Sequence, residues 1–127
     1  MRKTIYFAIL ASLLIAVACD PARPDRTSQI KRMTGGDMHV GKEKIRNYGC
    51  QSCHTIPGIE GANALVGPPL VHWSKRVYIA GELPNTPENL RKWLQHPPRV
   101  EPKTAMPDMG VTEQDSRDIS AYLYSLD

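Results

Sequence analysis

Cys50-Gln51-Ser52-Cys53-His54 is the stretch of this chain whose residue types and spacing can do chemistry. Two thiols three residues apart can each form a thioether to one edge of a porphyrin. A His directly after the second Cys is placed to reach the iron, so one pentapeptide supplies two covalent tethers and an axial ligand. The bare C-x-x-C spacing also serves redox dithiols and half of a zinc site. A redox dithiol wants a strand before it and a helix after it, whereas Cys53 and His54 lead into the turn signal Thr55-Ile56-Pro57-Gly58. A structural zinc needs a second ligand pair, but the other cysteine is Cys19, and His39, His72 and His96 show no H-x-x-x-H pattern. The trailing His54 favours one covalent haem c over zinc or dithiol.

Such a group must be held by helices, and two frame the motif. Asp37 is a good N-cap for a helix reaching about Tyr48. In it Met38, Gly41, Ile45 and Tyr48 form one apolar stripe, with Lys42, Lys44 and Arg46 on the opposite side. Gly41 lies in that stripe, where a missing side chain admits a second helix, expected to pack near Tyr122 or Leu123. Gly49 ends the helix and delivers Cys50. At the other end Thr112 caps a helix carrying Ile119, Tyr122, Leu123 and Leu126 on one stripe, with Asp115 in its acidic third position. These two helices should cross. Between them, Pro57 to Pro107 holds nine prolines, which leaves room for short pieces of regular structure. One is Thr86 to Gln95, with Thr86 as cap, Pro87 in the first turn, and Leu90, Trp93 and Leu94 on one face. The fold class implied is all-α, with three or more helices and proline-rich loops wrapped around one haem. Fewer than ninety residues with this many loops make a thin core, which a large apolar cofactor would augment.

The leading segment belongs to transport. Arg2 and Lys3 precede the apolar run Ile5 to Val17, and Ala16-Val17-Ala18 is a cleavage context, so residues 1–18 read as an export signal. The run is short of the ~20 residues of a spanning helix. Cleavage after Ala18 leaves Cys19 first, as in the lipobox of bacterial lipoproteins, although Ala16 stands where that family usually has Leu. Cys19 is therefore expected to be a lipid anchor, with a free thiol as the alternative. Residues 20–36 carry prolines, basic residues and only Ile30 and Met33 to bury; 19–36 read as a lipidated Cys and flexible tether with a span of roughly 20–25 Å. Residues 37–127 are the folded domain. The formal charge of +3 falls to +1 once Arg2 and Lys3 are removed, and no nucleic-acid partner is implied. Export fits covalent haem attachment, which happens outside the cytoplasm.

From Asp37 to Asp127 the chain resembles the monohaem class I cytochromes c. In that family a Gly-Pro followed by Leu lies downstream of the haem motif, matched here by Gly67-Pro68-Pro69-Leu70. The resemblance implies that the Pro68 carbonyl accepts from His54 and that Leu70 packs on the ring; a ligating His needs such an acceptor to fix its tautomer. Arg76 stands at the offset of a propionate-binding Arg, with a solvated surface charge as the plain alternative. Trp93, Pro97, Pro102 and Met106 follow the family's order toward the distal sulfur ligand, and Thr104 stands where a hydroxyl reaches a propionate. The insertion Ile56 to Ala64 departs from the best-known members. Trp73 reads equally as core or surface, and His72 and His96 as ordinary loop residues.

The resemblance implies a six-coordinate haem with His54 and Met106 on the iron. The alternative sulfur, Met109, is better placed to pack under the last helix. The expected function is one-electron transfer in a respiratory chain on the periplasmic side of a bacterial inner membrane, with respiratory complexes or other redox proteins as partners. With both axial positions filled there is no small-molecule substrate, and neither G-x-S-x-G nor H-E-x-x-H nor any other enzymatic motif is present. A haem enzyme or gas sensor with an open distal site is the alternative; it requires Met106 not to bind.

Overall fold

The computed structural model describes residues 24–127, so the export signal and Cys19 lie outside the described residues. In chain order come α1 (Arg26–Thr34), α2 (Met38–Asn47), a 3-10 turn at Cys50–Ser52, a second at Trp73–Lys75, the two-residue strands β1 (Tyr78–Ile79) and β2 (Leu83–Pro84), then α3 (Pro87–Gln95), α4 (Pro97–Val100) and α5 (Glu113–Ser125). The fold is all-α apart from that antiparallel hairpin, in which Ile79 faces Leu83.

The expected caps close the expected helices. The Asp37 carboxylate accepts from the backbone N–H of His39 and Val40, Thr86 accepts from Asn89, and Thr112 accepts from Asp115. Gly49 ends the α2 region at φ 73°, a left-handed conformation that turns the chain into Cys50.

The α2–α5 crossing is backbone on backbone. A Cβ at Gly41 would lie 1.9 Å from the Asp118 carbonyl oxygen, and one at Gly36 2.2 Å from that of Arg117. Gly41 therefore packs against the expected helix, but at Asp118 and Ile119, one turn before Tyr122 and Leu123. Polar bonds lock the crossing: Asp118 Oδ1 accepts from the Asp37 N–H at 2.7 Å, and Asp115 joins Lys44 at 2.9 Å and Tyr48 Oη at 2.7 Å. The Tyr48 hydroxyl, then the Lys44 ammonium, hold the Asp115 carboxyl below its ordinary value.

Residues 26–34 correct the flexible-tether reading of 19–36. They form α1, which packs on α5 and α3. Asp25 caps it by accepting from Ser28, Gly35 closes it at φ 71°, and Lys31 and Arg32 occupy its last turn, where positive charge complements the helix dipole. Ile30 and Thr34, one turn apart, are its buried face. At its start Arg26 pairs with the Asp127 carboxylate and donates to the Ser125 carbonyl. With α1, α2 and α3 all against it, α5 is buried on more than one face, including Ser116, Asp118 and Ser120.

The insertion 56–64 is a closed loop rather than an excursion. Ile56 N–H donates to the Ala62 carbonyl, and Ile56, Ile59 and Ala62 are buried. Tyr122 Oη, from α5, donates to the Pro57 carbonyl at 2.6 Å.

Candidate haem site

The loops, together with faces of α2, α3 and α5, line a cavity of about 640 Å³, within the range of about 300–1,000 Å³ typical of cofactor pockets. Cys50, Cys53, His54, Met106 and Met109 line it, together with apolar walls from Ile45, Leu70, Ile79, Leu90, Trp93 and Leu123. Of the four histidines in the chain, only His54 lines it, and of the methionines described, only Met106 and Met109.

The His54 ring is fixed from both sides. Its Nδ1 lies 2.7 Å from the Pro68 carbonyl, an acceptor, so Nδ1 carries the proton and Nε2 keeps its lone pair for a metal. A Cβ at Gly67 would come within 2.3 Å of the ring, so only glycine lets the 67–70 segment lie flat against it. Gly67 N–H donates to Cys53 O at 2.7 Å and Leu70 N–H to Thr55 O at 2.8 Å, which staples that segment to the motif.

Cys50 and Cys53 are not bonded to each other, and burial pushes the Cys50 thiol up, the reverse of what an attacking dithiol needs. Cys50–Ser52 is a 3-10 turn entered from a helix, with no strand leading into it. No cluster of three or more His, Cys, Asp and Glu able to hold a metal ion occurs among the described residues, so the pair gains no further zinc ligands there.

The distal segment 101–110 is held by short-range bonds. Thr104 N–H donates to Glu101 O at 3.0 Å, and Thr104 Oγ1 accepts from the Met106 N–H at 3.1 Å. Met106 is half-buried against the core, whereas Met109 is 43 % exposed. Met109 thus does not pack under the last helix as expected; Val111, 8 % exposed, is the buried apolar residue beside the Thr112 cap. His96, expected to be an ordinary loop residue, lies outside the cavity and pairs with Asp108 at 3.0 Å, tying the end of α3 to the distal segment and holding the Asp108 carboxyl low.

Arg76 lines the cavity and donates to the Pro69 carbonyl and, at 3.4 Å, to that of Val71. Its guanidinium lies over the Trp73 ring, 5.1 Å from the centroid. Burial pulls it below its ordinary value, so it is not the plain solvated charge that the sequence left open. Trp73 is core: it is 4 % exposed. The sequence reading missed Asn85, whose amide donates to both the Trp73 and Arg76 carbonyls at 3.0 Å while its oxygen accepts from Tyr124 Oη at 2.8 Å. Its partners lie on separate segments of the chain, so no consecutive pattern in the sequence singles it out.

The donor set, an apolar cavity of this size, and the cradle at Gly67 that a Cβ would fill against the His54 ring all suit a haem. The Cytochrome c family model matches residues 39–127. The chain is a c-type cytochrome. Its cofactor is covalent haem c, and its function is haem-based electron transfer. The cytochrome is 29 % identical over 101 residues to cytochrome c oxidase subunit 2 of Alkalihalophilus pseudofirmus, covering 79 % of this chain and 29 % of that protein. To cytochrome c oxidase subunit 2 of Bacillus sp. (strain PS3) it is 34 % identical over 88 residues, covering 66 % of this chain and 25 % of the relative. The cytochrome thus spans between a quarter and a third of the length of these curated relatives. No solved structure matches it significantly. Among the described residues no helix is long and apolar enough to cross a membrane.

Proposed function

We propose that the cytochrome is a one-electron carrier, not an enzyme, held at the periplasmic face of a bacterial inner membrane by a lipid on Cys19 and exchanging electrons with a respiratory complex. Cys50 and Cys53 tether the haem, His54 and Met106 are the axial ligands, Pro68 orients His54, Leu70 and Trp93 pack on the ring, and Arg76 and Thr104 face its propionates. The haem supplies one-electron redox chemistry, and a thioether ligand favours its reduced state and raises the potential.

The observation that carries this reading is the His54 ring, pinned by Pro68 and Gly67 with Nε2 left free, in the same cavity as a half-buried Met106. Thr104 holds the Met106 backbone, so little further ordering is needed to present the sulfur. Val66 and Met109 line the cavity yet remain 75 % and 43 % exposed, an apolar rim suited to the small, transient contacts of electron-transfer partners. The relatives' name, cytochrome c oxidase subunit 2, supports a terminal oxidase as the partner class.

Met106→Ala should abolish the weak long-wavelength sulfur-to-iron band of the oxidised protein, lower the potential and admit carbon monoxide or cyanide. Met109→Ala should keep the band. The reverse result would make Met109 the ligand, and a band unchanged in both variants would refute His/Met ligation. Cys19→Ser should release a haem-loaded, soluble protein; a variant that stays with the membrane after a salt wash places the anchor elsewhere.

A further inference from the structure

The two sides of α1 do different work. Ile30 and Thr34 are buried against the domain, whereas Lys31, Arg32 and Met33 in the same last turn are exposed, Met33 to 47 %. At about 100° per residue Arg32 points directly away from the Ile30–Thr34 face. Among the described residues neither cation is ion-paired; the pairs that form use Arg26, Lys44, Lys92, His96 and Arg117. The flanking acids Asp25 and Asp37 serve as caps, accepting from the backbone of Ser28 and of His39 and Val40.

Charge is also divided unevenly along the chain. Residues 20–36 carry four basic and two acidic side chains, a net +2, whereas residues 37–127 carry ten basic and eleven acidic, a net −1, which the haem propionates make more negative. The positive part is the part next to Cys19, with only residues 20–25 between that cysteine and α1. A negative membrane surface therefore attracts this segment and repels the remainder. At physiological salt such attraction acts within about 8 Å, and a lipid on Cys19 holds the helix near enough to feel it. Met33, beside Arg32, adds the apolar contact that interfacial helices make at the headgroup boundary. No residue of α1 lines the haem cavity, so this contact does not take up the exposed rim residues Val66 and Met109.

We propose that the outer face of α1 is a membrane-docking surface on which Lys31 and Arg32 meet the phosphate groups of anionic phospholipids. The proposal rests on the Cys19 anchor for proximity, but the charge recognition itself needs no acyl group on the chain.

The test uses the full haem-loaded mature chain carrying Cys19→Ser, so that no acyl group contributes. At low salt it should sediment with vesicles of mixed phosphatidylcholine and phosphatidylglycerol but not with phosphatidylcholine alone, and added salt should release it. Introducing Lys31→Gln/Arg32→Gln should weaken that binding about thirtyfold, roughly fivefold per cation, with the haem spectrum and helix content unchanged. Lys92→Gln/Arg99→Gln, which removes cations outside α1, should leave it as it was. Equal binding to both kinds of vesicle, or an α1 variant that binds as tightly as its parent, would overturn the proposal. If the Lys92/Arg99 variant is the one that weakens, the membrane face lies on α3 and α4 instead. An α1 variant that binds vesicles normally but takes electrons from host membranes more slowly would assign Lys31 and Arg32 to an acidic protein partner. The anchor is read separately: with Cys19 intact, Lys31→Gln/Arg32→Gln should stay in the membrane fraction after a salt wash, and its release would refute the lipid on Cys19 while leaving the vesicle result standing.

Discussion

The α2–α5 crossing and the haem wall are built from the same short chain by opposite means. At the crossing, Gly36 and Gly41 bring backbone against backbone, and Asp115 and Asp118 bridge the two elements by direct bonds, so that region is complete with protein atoms alone. Around the cavity, loops rich in proline are tied to one another by separate hydrogen bonds, such as His54 to Pro68 and Asn85 to Trp73, rather than by close backbone packing. One region specifies itself; the other specifies a shape that a cofactor completes. A domain of this size has too little side-chain core to do both.

Removing the tethers should break the comparison open most widely. In Cys50→Ala/Cys53→Ala, which cannot attach haem, amides of the loops between residues 53 and 110 should lose most of their protection against hydrogen exchange, while those of α2 and α5 stay the slowest in the chain. Uniform loss across both regions would mean that the crossing, too, depends on the haem. Gly41→Val attacks the other side. Its side chain meets the Asp118 carbonyl rather than a flexible group, so the cost should reach about 3 kcal/mol or more. For a domain of this length that lowers the melting midpoint by roughly ten degrees or more, with the haem spectrum kept below the transition.

A smaller effect is expected at Asn85. Asn85→Ala removes two donors and strands the Tyr124 hydroxyl, whose pKa burial already pushes up to about 12. About 1–3 kcal/mol should be lost in denaturant titration. Least of all should be the response of α1 to acid. The Arg26 and Ser74 partners hold Asp127 down at about 2, below its ordinary 3.8. A depressed carboxyl stabilises the fold above its unfolded pKa and loses that contribution as pH falls through the folded one, so fraying of α1 should set in between about pH 4 and 2. Asp127→Asn should show the same fraying at neutral pH, read from exchange of the Ile30 and Thr34 amides; the exposed ion pair is screened, so salt should shrink the difference between variant and wild type.

How much of this was legible in the sequence follows from how local each signal is. The caps at Asp37, Thr86 and Thr112 and the stripes they open are written in consecutive residues, and the structure starts α2, α3 and α5 there. The motif and the residues downstream of it are equally compact, and Pro68, Leu70, Arg76, Trp93, Thr104 and Met106 all line one cavity. α1 was misread as tether although Asp25 and Gly35 bracket it in plain view, because its buried face is only Ile30 and Thr34, too narrow for periodicity to register. The buried Ser116, Asp118 and Ser120 were hidden for the complementary reason: a one-stripe pattern does not reveal that α1 covers a second face. Asn85 depends on Tyr124 from α5, and Trp73 is buried by residues distant in the chain; no local pattern encodes either.

α1 also changes the arithmetic of reach. With Cys19 acylated, the sequence leaves six residues, Asp20 to Asp25, between the lipid and the first folded turn, which can span no more than about 20 Å even at full extension. The domain would then search for its redox partner across a plane rather than through a volume. Encounter would be governed by lateral diffusion and by the high effective concentration that confinement creates, so even a weak docking face could sustain turnover.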